Sequence, residues 1–146
     1  MKKFLSFFLL ISSFNLTSHE FNPAHLIIDQ FNDNQNTYDA TWMYPVKNIG
    51  KRADVIFPDI CNSNGSDPFV QGKYIIEKIS LECNESIKGK FIEIVNLSVL
   101  TDALVTINFK EDTFEGLINV QKNKLEIPLV DQYYPTAYLY LGVGHL

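Results

Sequence analysis

Hydrophobic and polar positions alternate along most of the chain with a period of two, the period of a strand with one face buried. The longest such run is Gly72–Cys83 (GKYIIEKISLEC), where Ile75, Ile79, Leu81 and Cys83 share one face. Glu77 interrupts that face, and Tyr74 and Ile76 make the opposite face apolar at its start, a shift of pattern that predicts a bulge or a change of sheet near Glu77. Upstream, His25–Phe31, Thr37–Tyr44 and Arg52–Phe57 read as strands, with Tyr38, Ala40 and the single tryptophan, Trp42, on one side of the second. Pro58–Pro68 (PDICNSNGSDP) reads as a long loop holding Cys61. Downstream, Phe91–Val95, Ala103–Phe109, Phe114–Val120 and Lys124–Pro128 are four further short strands separated by polar turns. About eight short strands with no amphipathic helix of useful length predict an all-β chain, an immunoglobulin-like antiparallel β-sandwich of about seven to eight strands.

The two ends break this pattern. Lys2 and Lys3, then the apolar run Phe4–Ile11, then a short Ser/Asn/Thr stretch form a secretory signal over residues 1–18, too short to span a membrane. Cleavage is expected between Ser18 and His19, with cleavage after Ser13 as the alternative. The exported β-domain then covers residues 19–130, and residues 131–146 (DQYYPTAYLYLGVGHL) form an aromatic, apolar tail without Lys or Arg.

With 46% hydrophobic residues in 146, one domain with a real core is expected. The net charge of −5, without a Lys/Arg cluster, argues against nucleic acid or anionic lipid as the main partner. Export permits a disulfide, and the two cysteines, Cys61 and Cys83, predict one. Neither belongs to a C-x-x-C or lies close in sequence to a histidine, which favours a structural bridge over a zinc or redox site.

Only three histidines are present. If cleavage exposes His19, its α-amine and imidazole make a two-nitrogen chelate for copper or nickel, with His25 or Glu20 as a further ligand. The plainer reading is a polar residue at a terminus and a strand histidine with a satisfied hydrogen bond. No nucleophile elbow, zinc-protease helix motif or glycine-rich phosphate loop occurs, so a non-enzymatic protein is expected. Asp102 interrupts the apolar run LTDALV and reads as a turn or cap carboxylate. Glu77 reads as a partner of Lys73 or Lys78, or as a solvated residue at a bulge.

Several stretches, taken in order, resemble the N-terminal extracytoplasmic region of HupE/UreJ-type membrane proteins. They are His19-Glu20 with Pro23; Tyr38-Asp39 with Trp42; Pro58 with Cys61; Gly72, Tyr74, Glu77 and Cys83; Gly89, Ile92 and Ile94; and Leu97 with Leu100 to Val105, including Thr101 and Asp102. Tyr138–Leu146, with His145, is similar to the start of that family's first membrane helix. The resemblance implies a periplasmic or membrane-associated β-domain working with a nickel/cobalt permease-like membrane partner. The sequence departs at Gly144, where relatives often carry an acidic residue, and at Leu146, where relatives continue into membrane helices, so transport by this chain alone is not expected. The alternatives are a free-standing secreted adhesion or structural module, and a periplasmic copper- or nickel-binding protein using His19.

Overall fold

The computed structural model describes residues 22–31, 36–47 and 52–129. The signal, His19, the turn at 32–35, residues 48–51 and the tail from 130 onward, with His145, lie outside the described residues.

Within them the chain is all-β. Ten strands are formed: β1 Ala24–Gln30, β2 Thr37–Pro45, β3 Asp54–Ile56, β4 Cys61–Gly65, β5 Phe69–Gln71, β6 Tyr74–Cys83, β7 Phe91–Val95, β8 Ala103–Asn108, β9 Thr113–Ile118 and β10 Lys124–Glu126. A seven-stranded sheet runs β4-β6-β2-β1-β8-β9, with β5 also on β6, and a three-stranded sheet runs β10-β7-β3. The eight strands read from the sequence are all present. The two additional ones, β4 and β5, share the outer edge of β6.

β4 corrects the reading of Pro58–Pro68 as loop. Its residues, CNSNG, are polar and mostly exposed, so no alternation marks them. What makes them a strand is the ladder to β6, which begins at the register pair Cys61–Cys83 and is covalently closed there by the expected disulfide. β5 turns into β6 through Gly72-Lys73, with Gly72 at φ 60°, the left-handed first position of a type II′ hairpin.

The pairing is antiparallel except between β1 and β8, which run parallel. The chain returns from β7 in the small sheet and enters β8 at the end where β1 also starts, the Ala24 N–H donating to the Asp102 carbonyl at 2.9 Å. A crossover between sheets is long enough to deliver a parallel neighbour, which a tight hairpin cannot do.

The core lies between the sheets. Leu26, Ile28, Tyr38, Trp42, Leu81, Val105, Ile107 and Ile118 come from the large sheet, and Ile92 and Ile94 from the small one, all essentially without solvent contact. Alternation along β1, β2, β8 and β9 supplies this face, as expected from the period of two.

The bulge expected near Glu77 is absent. β2 and β6 hold one uninterrupted register from Thr37–Glu82 to Pro45–Tyr74. Glu77 therefore projects to the core side, opposite Trp42, and Ile76 to the outer side, opposite Met43.

Candidate functional site

Among the described residues, two places in the sandwich stand out besides a polar cleft of about 600 Å³ on the outer face of the large sheet, lined by Asp29, Asp39, Lys78 and Ser80. The first is the mouth between the sheets where β3 faces β4 and β6. Trp42 lies beneath it, stacked on Tyr44 at 5.8 Å between ring centres, and its indole N–H donates to the Ala53 carbonyl at 3.0 Å. Glu77 sits beside it, with its side chain only 16% exposed. Its partner is Arg52, which neither Lys73 nor Lys78 replaces: the guanidinium donates to the Glu77 carboxylate, and its Nε lies 3.1 Å from Asp54. Lys78 points to the other face and donates to the Thr41 hydroxyl at 2.9 Å. Gly65 of β4 makes room for the carboxylate, because a Cβ there would lie 2.8 Å from Glu77 Oε1.

Burial opposes the charge on Arg52, but the hydrogen bond and charge of Glu77, with Tyr44 and Asp54, hold the guanidinium above its ordinary pKa. Burial also raises the Tyr44 phenol, with Arg52 pulling the other way and Glu77 and Asp54 adding to the rise. The Arg52 guanidinium thus keeps its charge between the two carboxylates, and the Tyr44 phenol keeps its proton near neutral pH. The cleft here, about 230 Å³, is best described as a clasp joining β3 to β2 and β6. Trp42 and Glu77 stand out in the sequence; Arg52, which lies 25 positions from Glu77, does not. Its only local sign is the Arg-x-Asp spacing with Asp54.

The remaining residues singled out from the sequence do not join this cluster. His25 lies on the opposite face of the large sheet, in a cross-strand row with Met43 and Leu104 and edge-on to Tyr74 at 6.1 Å. Burial lowers its pKa below 6.5, favouring the neutral ring. Among the described residues no three of His, Cys, Asp and Glu come together as a metal site, and His19 and His145 lie outside them. Thr101 is buried just before β8, where its N–H donates to the Ser98 carbonyl. Asp102 contributes through its main-chain carbonyl to Ala24, in place of the carboxylate cap expected of it. In the sheet order both are separated from Glu77 by β1 and β2. Cys61 and Cys83 are bonded to each other and available to nothing else.

The second place is the solvent side of the small sheet. Alternation puts Ile92, Ile94 and Leu125 inward, which leaves Phe91 and Glu93 of β7, Ile56 of β3 and Lys124 of β10 facing out. Phe91 is 54% exposed and Ile56 46%. They floor an open groove of about 670 Å³ whose walls include Pro58, Ile60, Gly89 and Lys90. Glu93 on its rim is already held, by Lys124 at 3.5 Å and by the Asn123 amide at 2.8 Å. An apolar floor with a self-paired polar rim suits the seating of an apolar segment rather than chemistry on a small polar substrate. Nothing in the sequence pattern marks it, since Ile56 and Phe91 read as ordinary strand residues. No protein-family model matches the chain, and no curated protein matches it.

Proposed function

We propose that this protein is a non-catalytic, exported docking domain that presents the small-sheet groove to an apolar segment of a membrane-embedded, nickel/cobalt permease-like partner. The observation that carries the docking role is the pair of outward-facing side chains Phe91 and Ile56 at the floor of an open groove. Apolar surface gathered in one place and rimmed by polar groups is the ordinary mark of a binding face. Support for export comes from the N-terminal signal pattern and from the Cys61–Cys83 disulfide, which suits an oxidising compartment. The membrane partner rests on the ordered resemblance running from His19 to Val105 and again over the tail.

The test is photocrosslinking in cells exporting the full chain, with p-benzoylphenylalanine placed at position 91 or, as a control on the outer face of the large sheet, at position 106. The expected result is a crosslink from position 91 to a protein with several transmembrane helices, and none from position 106. Equal yields from both positions, or no membrane protein among the products, would end the proposal.

A further inference from the structure

The groove lies beside the point where the chain leaves the described fold. The last turn of main chain there is fastened to the groove wall: the Gly89 N–H donates to the Ile127 carbonyl at 2.6 Å, and the Ile127 N–H to the Lys90 carbonyl at 2.8 Å. Leu129, the final described residue, leans on the same wall, since a Cβ on Gly89 would lie 2.7 Å from Leu129 Cδ2. Gly89 and Lys90 both line the groove. Leu129 is itself 74% exposed, so apolar surface continues from the groove out along the departing chain.

The segment just C-terminal to Leu129 has the matching chemistry. Residues 131–146 carry four tyrosines, Tyr133, Tyr134, Tyr138 and Tyr140, with Leu139 and Leu141, and Asp131 is their only charged side chain apart from His145 when protonated. Tyrosine suits a groove of this kind because its ring covers an apolar floor while its hydroxyl meets a polar rim. At about 3.3 Å per extended residue, even six residues beyond Leu129 reach some 20 Å, starting from a side chain that already abuts the lining residue Gly89.

We infer that residues 131–146 of the same chain occupy the groove, so that the docking face is covered by its own tail. This rests on the docking reading of the groove and adds its resident occupant. Tethering favours the tail over a second copy or a free partner, because a short linker confers an effective concentration of about millimolar without any new contact. An apolar segment from a partner would then act by displacing the tail.

The test uses the full chain at low concentration, with p-benzoylphenylalanine replacing Tyr134 or Tyr138, followed by illumination and peptide mapping. The expected product is a monomer crosslinked within itself to the 56–60 or 89–93 peptide. In the Phe91→Asp background that product should fall about tenfold, the loss of one buried aromatic contact, with the disulfide and far-UV dichroism unchanged. Should Phe91→Asp fail to fold, Ile56→Ser gives the same reading. Crosslinks only between chains, only to lipid or detergent, or undiminished in the groove variants would overturn the inference. A crosslink from position 91 to a membrane protein with no tail crosslink in the isolated chain would leave the docking reading standing and this one refuted.

Discussion

The outward faces of the two sheets use their surface differently. On the large sheet, side chains are paired across strands: Thr113 donates to Asn108, Asn108 to Asp29 at 2.6 Å, Ser80 to Asp39, and Lys78 to Thr41. Where that face turns apolar, at the row containing Phe69, Ile76, Met43, His25 and Leu104, Ile76 and Leu104 are each only 8% exposed, and only Phe69, on the edge strand β5, is open to solvent. The small sheet pairs its one central carboxylate and leaves two large apolar side chains open to solvent. A surface whose polar groups satisfy one another needs no visitor, whereas exposed aromatic area in a groove gains free energy when covered, at about 25 cal/mol per Å². That contrast, with Phe91 and Ile56 gathered in one groove, is the reason we propose the small sheet as the docking face.

The sharpest way to break that contrast is to remove its foundation. Trp42→Ala should destabilise the fold by about 3–5 kcal/mol, since it empties a fully buried site and also removes the Nε1–Ala53 bond between sheets; chemical denaturation measures this, and a loss below about 1 kcal/mol would show that the sheets are not joined through this side chain. Next comes the edge. Cys83→Ser should cost about 3 kcal/mol on the chain-entropy account and loosen β4 selectively, seen as faster amide exchange over Cys61–Gly65 than over β1. Uniform exchange across the sheet would mean that the ladder alone holds the edge.

Arg52→Ala should cost about 1–2 kcal/mol, less than a fully buried pair because the guanidinium is partly open to solvent, yet more than an ordinary surface pair because Glu77 is left facing the core. The double variant Arg52→Ala, Glu77→Leu should recover most of that loss; failure to recover would show that the clasp contributes through something other than the stranded carboxylate. By contrast, Phe91→Ser should change stability by less than about 0.5 kcal/mol, and a larger drop would mean that Phe91 belongs to the core rather than to a binding face.

The smallest effect concerns pH. Because the His25 pKa is lowered below 6.5 in the folded chain, the unfolded chain binds more protons in the window just under 6.5. Stability is therefore complete above that value and falls as pH drops towards the folded pKa. A His25→Gln variant should show a flatter melting temperature between about pH 7 and pH 5 than the parent, a change readable by scanning calorimetry.

Much of the architecture was legible in the residues themselves. A period of two over eight segments marks strands because alternate side chains leave a sheet on opposite faces, and two cysteines behind a signal-like N-terminal pattern mark a bridge. That local information could not mark β4, whose polar residues form a strand only because β6 offers them a ladder and a disulfide. Nor could it assign Glu77. In sequence a charge in an apolar run looks like a bulge, and only the continuous β2–β6 register, together with an Arg52 distant along the chain, shows it turned inward and paired. The same holds for the groove, since whether Ile56 and Phe91 face core or solvent depends on which side of the small sheet the large sheet covers. Periodicity determined which residues share a face; tertiary packing decided which face is buried, and hence what the surface has left to bind.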